Sequence, residues 1–421
     1  MMVDAIDNVA VDGLGEEILD WRFKAIPAWA HGMTMLECAD ARRPLDDFGT
    51  PLLTLDAGAL DHNIALMAGW TRSAGVRLAP HGKTTMAPQL WRRQLDAGAW
   101  GITLANLPQV RVARAFGVRR VLLANSLLDE AGLTWLAGEL DHNSEFEFLS
   151  WVDSVRSVEL MDEALRSARA QRQVDVCVEL GGPHGRTGVR DEDDAVVVAE
   201  AVRKAPTLRL VGTAGYEGAL AHDASTEGLG AVDTYLRRIA ALHQRLAYET
   251  DEPVVTAGGS AFFDQVVDVL GGLDGHLLLR SGAYIAHDDG FYRQISPFAR
   301  LRFGDERLRS AIHGWARVVS RPEAELALLD AGKRDLPFDE GFPEPQFVRG
   351  LPGAGPAAGA RVTALNDQHA FLRGADVDVG DVVRLGLSHP CTAFDKWTLI
   401  PVVDDASAER PVVVDFVRTW F

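Results

Sequence analysis

The sequence predicts an α/β chain of two parts, a TIM-like (β/α)8 barrel followed by a C-terminal antiparallel β domain. Three observations predict it. Between residues 46 and 290, short apolar and β-branched runs alternate with longer stretches of helical spacing, the pattern of βα units on a parallel sheet. About eight such units over roughly 240 residues suit a closed barrel better than an open sheet. Beyond residue 290 the helical spacing fades, and short strand-like runs are separated by Gly, Pro and Asp. The expected division is a barrel over 46–290 and a β domain over 291–421, with residues 1–45 packing on the latter.

The barrel strands are expected at 52–55, 76–80, 101–105, 120–125, 146–152, 174–180, 208–215, 253–258 and 276–282, each a short run rich in Val, Leu, Ile or Thr. Helical patterns lie between them, at 59–75, 85–99, 191–205 and 225–249 among others. In the second part the runs 315–322, 324–332, 360–367, 381–387 and 398–404 read as strands. The Pro- and Gly-rich stretch 335–360 reads as a long surface loop.

Composition narrows the function. The chain has 421 residues, 47% of them hydrophobic and 24% charged, enough apolar material for a full core. With 42 Lys+Arg against 60 Asp+Glu the net charge is −18, which argues against binding nucleic acid through its phosphates. No run approaches the ~18 apolar residues of a membrane span. The acidic N-terminus carries no signal-peptide pattern. Cys38, Cys177 and Cys391 are too few and too widely spaced for a disulfide framework, so a reducing, cytoplasmic setting is expected. Lysine occurs only at 24, 83, 204, 333 and 396. Arginine therefore carries most of the positive charge, and each retained lysine draws notice because guanidinium cannot form an imine.

Pro80-His81-Gly82-Lys83-Thr84 closes the second strand candidate, at the barrel end where reactive groups collect. A lysine there can form a Schiff base with an aldehyde cofactor. By spacing alone it is equally a surface lysine at a helix start. His389-Pro390-Cys391 follows a β-run. Imidazole and thiolate suit zinc, and two protein ligands leave open positions for catalysis. The same motif also suits a buried histidine beside a core cysteine. Asn366-Asp367-Gln368-His369 lies upstream, and His369 is placed to reach the same pocket. Gly258-Gly259-Ser260 and Ser281-Gly282-Ala283-Tyr284 end successive strands. Glycines there let backbone N–H groups approach a phosphate, or simply serve tight turns. Arg186 and Tyr216, also in loops after strands, offer a cation and a phenol to a cofactor ring.

In their order along the chain these motifs, with Arg186-Thr187-Gly188, Tyr216-Glu217-Gly218 and Asp330-Ala331-Gly332-Lys333, resemble the D-serine dehydratase and D-threonine aldolase family of pyridoxal-phosphate enzymes. The resemblance covers roughly residues 46–400 and is most specific at the lysine and His-x-Cys motifs. It implies the alanine-racemase-type fold, with Lys83 bonded to the cofactor and His81 beside it. It implies Arg186 near the phenolic oxygen and Tyr216 near the pyridine nitrogen. Gly258, Gly259, Ser260, Gly282 and Tyr284 fall at the phosphate, His389 and Cys391 on Zn2+, and Gln368 and His369 at the substrate. Two departures concern the substrate side. Leu104-Ala105-Asn106 stands where relatives often carry Ala-Thr and an acidic residue, and Gln368 stands where an acidic residue often precedes the histidine.

The resemblance implies a homodimer and a pyridoxal-phosphate- and zinc-dependent β-elimination of a D-3-hydroxy amino acid such as D-serine, giving a 2-oxo acid and ammonia. The alternative is a metal-dependent D-threonine-type aldolase, which cleaves to glycine and an aldehyde and tends to carry a carboxylate in place of Cys391. A third reading, a non-catalytic cofactor carrier on the same barrel, has no use for the segment beyond the barrel.

Overall fold

The computed structural model describes residues 5–183, 185–300, 304–349 and 359–421. The first strand, β1 (Leu52–Asp56), leaves the barrel expected of it. It pairs antiparallel with a strand at Ile312–Glu323 and parallel with one at Leu399–Val403, so it belongs to the second sheet. Its side chains at 52–55 are all buried, and a run buried on both faces shows no alternation that would reveal which sheet claims it.

The barrel is built by β2 (Arg77–Leu78), β3 (Ile102–Leu104), β4 (Arg120–Leu123), β5 (Glu147–Val152), β6 (Val174–Leu180), β7 (Leu208–Gly215), β8 (Val254–Ala257) and β9 (His276–Leu279). All pair in parallel, in the order β2-β9-β8-β7-β6-β5-β4-β3. The ring is completed between its outer strands. Trp100 N–H donates to Leu78 O (2.7 Å), Thr103 N–H donates to Pro80 O (2.9 Å), and His81 bridges Thr103. Leu122, Leu149, Trp151, Cys177, Ala214 and Leu278 pack into one cluster, a filled core of the kind that parallel barrels need. The helices between strands begin where side chains accept the first amide protons. Asn106, Ser154, Asp191 and Ser225 each cap the helix that follows. With all strands parallel, the loops following β2, β6, β7, β8 and β9 emerge at one end.

Among the described residues the second sheet has nine strands: β1 with β10 (Ile312–Glu323), β11 (Leu326–Leu329), β12 (Glu344–Val348), β13 (Arg361–Leu365), β14 (Ala370–Arg373), β15 (Val382–Gly386), β16 (Leu399–Val403) and β17 (Val413–Arg418). Apart from the β1–β16 pair it is antiparallel. The expected loop 335–360 is interrupted by β12, which pairs with β15 despite Pro345. A register shift between Pro345 and Phe347 accommodates the proline. Residues 350–358 of that expected loop lie outside the described residues. Leu19, Phe23, Ile26, Met35, Cys38 and Leu45 share a buried cluster with Trp315, Leu399 and Phe416, so the N-terminal segment belongs to the core of this sheet.

By internal contacts the chain forms two units. One holds 68–83 and 94–282 with residues up to 7, and the other holds 8–67, 84–93 and 283–421. Among the described residues no helix is long and apolar enough to cross a membrane.

Candidate active site

The barrel unit carries Lys83, His81, Arg186, Tyr216, Gly258, Gly259, Ser260 and Gly282, all in the segments that follow strands. Lys83 sits in a 3-10 turn (Gly82–Thr84) after β2. Next to it, His81 Nδ1 is buried without a hydrogen-bond partner. Burial, joined by the positive charges of Lys83, Arg280 and Arg186, holds the His81 imidazole well below its ordinary pKa, and therefore neutral. The three charged side chains thus each lie within electrostatic reach of His81.

Arg186 and Tyr216 meet, with the guanidinium 5.0 Å from the centre of the phenol ring. The Tyr216 backbone is fixed from below. Its N–H donates to Tyr235 Oη (3.0 Å), which in turn donates to Leu180 O (2.5 Å). Gly258 has φ +96, a conformation that favours glycine. A Cβ on Gly259 would come within 3.1 Å of the Tyr216 ring, so the glycine keeps that face open.

The N–H groups of Gly258 and Gly259, expected at the phosphate, donate to a protein carboxylate in this structure. Gly258 donates to Glu217 Oε2 at 3.0 Å and Gly259 to Glu217 Oε1 at 2.7 Å. Ser281 Oγ closes the same turn by donating to Gly259 O at 3.1 Å.

Beneath these loops lies a buried layer that motif reasoning passed over. Arg280, 4% exposed, donates to Thr256 Oγ1 and to Gly215 O, each at 2.6 Å, and lies 4.9 Å from the Trp151 ring centre. Burial lowers its pKa, while Glu217 and Glu179 oppose that shift. Glu179 is itself pushed up to about 7 by burial, against a hydrogen bond from Thr187 and the charge of Arg280. The only sequence signal for this layer is an arginine inside an otherwise apolar strand run at 276–282.

The β unit carries Tyr284, Gln368, His369, His389 and Cys391. Tyr284 is buried in a 3-10 turn. His389 adopts φ 63, a left-handed conformation uncommon for histidine. Its N–H donates to Asp288 Oδ2 (2.9 Å), and Asp288 also accepts from the N–H groups of Gly290, Tyr292 and Arg293. The His389 ring is oriented by Asp339. Nδ1 and Asp339 Oδ2 are 2.5 Å apart, and Thr392 Oγ1 donates to the other Asp339 oxygen at 2.7 Å. Burial works against the imidazolium, but Cys391 and Asp339 outweigh it and raise the His389 pKa to about 9. The Cys391 thiol donates to Thr84 Oγ1 at 3.4 Å. No disulfide joins the three cysteines.

His369 is exposed at the tip of the β13–β14 hairpin, where its carbonyl accepts Asn366 N–H. Gln368 Nε2 donates to Asp335 Oδ2 (3.2 Å). Asp288, Asp339 and Tyr235 carried no signal, because each acts on a residue far away in sequence.

The residues fit both groups that the motifs suggest. For the cofactor, a lysine, an unpartnered imidazole nitrogen and an arginine–phenol pair converge at one barrel end, with a glycine leaving the phenol open. For a metal, imidazole and thiol two residues apart form a zinc-type donor pair, and a carboxylate on Nδ1 directs Nε2 outward. Among the described residues no group of three or more His, Cys, Asp or Glu side chains gathers as potential ligands.

Comparison with known proteins agrees with this architecture. Residues 311–403 match the family described as a putative serine dehydratase domain. A D-threonine aldolase from Arthrobacter sp. is 29% identical over 386 residues, covering 90% of this chain and 95% of its own. A D-threo-3-hydroxyaspartate dehydratase from Delftia sp. (strain HT23) is 36% identical over 78 residues, 18% of this chain and 20% of its own. The crystal structure of D-threonine aldolase from Filomicrobium marinum superposes with a TM-score of 0.75 at 27% identity, covering 90% of this chain and 97% of that one.

Barrel and β sheet together have the alanine-racemase-type fold, and the similarity to these aldolases and dehydratases supports a pyridoxal-phosphate-dependent lyase. Within that class, the chain is similar to the D-serine dehydratase and D-threonine aldolase-like proteins.

Proposed function

We propose that the protein dehydrates a D-3-hydroxy amino acid, with D-serine as the simplest case, to a 2-oxo acid and ammonia. The observation that carries this reading is the His389–Cys391 donor pair, whose sulfur selects zinc over a harder ion. Pyridoxal phosphate, when bound, supplies the electron sink that makes a substrate Cα–H acidic. Zinc, when bound, supplies the Lewis acidity that turns a hydroxyl into a leaving group. Lys83 would hold the cofactor through Nζ, and the same amine, when free, would take the Cα proton. Arg186 and Tyr216 hold the ring, and neutral His81 lines it without adding charge. Ser260, Gly282 and Tyr284 hold the phosphate end. His389 and Cys391 hold the ion, with Asp339 fixing the imidazole so that Nε2 faces it. Gln368 and His369 border the substrate from the β13–β14 hairpin. Water leaves from Cα–Cβ, the resulting enamine takes up water at carbon, and ammonia departs.

A second reading has its own support. The sequence likeness to a D-threonine aldolase spans 386 residues and that to a dehydratase 78, although the dehydratase structure shares the fold over 90% of the chain. An aldolase would use the same lysine but deprotonate the β-hydroxyl and break Cα–Cβ. Incubating the purified protein with D- and L-3-hydroxy amino acids, and assaying 2-oxo acid and aldehyde separately, divides the two. We expect 2-oxo acid and ammonia in equal amounts from D-substrates. Glycine and aldehyde as the main products would overturn dehydration in favour of the aldolase.

The proposal extends to a homodimer, the commonest closed assembly. Sedimentation should show the dimer at assay concentration, and a fully active monomer would remove this part of the reading. The absence of any disulfide among three cysteines supports a reducing compartment, the cytoplasm.

A further inference from the structure

Asp289 Oδ2, His313 Nδ1, Gln346 Oε1 and Arg384 Nε are buried without a hydrogen-bond partner, and all four lie in the β unit. The proposed reaction uses none of them. Buried polar groups are nearly always satisfied, so a gathering of this kind calls for a cause. The fold brings them together. His313 lies opposite Gly386 where β10 pairs with β15, and Arg384 is two residues along the same strand. Gln346 sits at the register shift by which β12 joins β15. Asp289 is laid across the end of β15, with its N–H donating to Leu387 O at 2.8 Å. A Cβ on Gly386 would strike Gln346 Nε2 and come within 2.8 Å of Asp289 Oδ2, so the glycine leaves room for both.

Asp289 Oδ2 and His313 Nδ1 are 3.9 Å apart, too far for a hydrogen bond. The ring is 5% exposed, and burial with the charge of Arg384 holds its pKa at about 3. His313 is therefore neutral and brings Asp289 no balancing charge. Arg384 is turned elsewhere. It donates to Ala406 O at 2.8 Å, lies 4.3 Å from the centre of the Phe347 ring, and shares its charge among Asp289, Asp56 and Asp405. What remains is a neutral imidazole nitrogen, a carboxylate oxygen and an amide oxygen, the donors of a cation site. Two metal–ligand bonds of about 2.1 Å span 3.9 Å at a wide angle. A cleft of about 440 Å³, lined in part by Asp289, Phe291, Glu344, Pro345 and Gly386, adjoins the cluster and gives an ion a way in.

We propose that Asp289, His313 and Gln346 hold a divalent metal ion of the manganese-to-zinc kind, at a site apart from His389 and Cys391. Imidazole nitrogen suits the later ions of that series, and carboxylate and amide oxygens suit manganese. With no sulfur among the donors, manganese competes here as it does not at a thiolate. The site depends neither on the cofactor nor on which bond the enzyme breaks.

The test titrates metal-stripped protein with Mn2+ and follows the loss of the free ion's paramagnetic resonance signal. One Mn2+ per chain should bind to the unmutated protein and equally to Cys391→Ala. Asp289→Asn and His313→Gln should each weaken that binding about tenfold or more. Thermal unfolding of the stripped variants reports their fold, and Mn2+ should raise the unfolding temperature of the unmutated protein more than that of either variant. Equal Mn2+ affinity in variants that fold would overturn the proposal, as would an unmutated protein that binds no Mn2+.

Nuclear magnetic resonance of the unmutated protein gives an arm that needs no variant. The bound paramagnetic ion should broaden the ring signals of His313 first. Broadening of His389 with His313 left sharp would assign the ion to the His389–Cys391 pair and overturn the proposal.

Discussion

Replacing Lys83 with alanine should abolish turnover and remove the cofactor's covalent attachment. The wild-type protein should be yellow, and borohydride should fix the cofactor to the peptide containing Lys83. Only five lysines exist in the chain, so peptide mapping gives an unambiguous answer. Two losses combine in Lys83→Ala. The first is the amine that bonds the cofactor. The second is the base that takes the Cα proton, a role worth roughly 10²–10⁴-fold in rate. Lys83→Arg should be just as inactive, although it preserves charge and length, because guanidinium stays protonated and forms no imine. Added primary amines should return part of the activity to Lys83→Ala but not to Lys83→Arg, where the guanidinium fills the space. A Lys83→Ala protein that still carries borohydride-fixed cofactor would sink the assignment. The neighbouring imidazole bears on the same test. His81 is held neutral by burial and by the charges of Lys83, Arg280 and Arg186, so removing the lysine relieves one of those charges.

Much of this was legible in the chain because parallel barrels write themselves plainly. Eight of the expected strand runs became β2–β9, and the catalytic-end loops follow directly from them. The resemblance then placed Lys83, Arg186 and Tyr216 on the same end. Other features left no readable trace, for separate physical reasons. The run at 52–55 is buried on both faces, and such a run does not record its partner. The strand at 344–348 hid behind proline, which a register shift tolerates. Gly258 and Gly259 suggest either phosphate donors or a tight turn, and glycines reveal that something comes close without naming it. What comes close is Glu217. Asp288 and Asp339, which hold the backbone and ring of His389, lie 101 and 50 residues away from it.

Metal removal should separate the two halves of the proposed chemistry. Dialysis against a chelator should stop elimination while leaving the protein yellow, because Lys83 retains the cofactor without help from an ion. Lewis-acid activation of a hydroxyl is worth several kcal/mol, so the loss should be roughly 10²-fold or more. Zinc should restore activity better than magnesium, since thiolate is a soft ligand. Cys391→Ala should lose both metal and turnover yet still shift the visible band when D-serine is added, showing that substrate reaches the cofactor. Asp339→Asn should do less. It keeps both ligands but loosens the imidazole orientation and should weaken zinc by about 10–100-fold. Cys391→Asp is the most informative change, because it exchanges sulfur for a hard oxygen donor while the His389–Asp339 contact stays in place. It should weaken zinc, admit manganese and, if the hardness of the ion helps choose between breaking C–O and Cα–Cβ, raise aldehyde release at the expense of 2-oxo acid. Unchanged turnover in metal-free protein would leave His389 and Cys391 as ordinary side chains of the β unit. It would also remove the reason for preferring dehydration, and the whole-length likeness to D-threonine aldolase would then carry the argument.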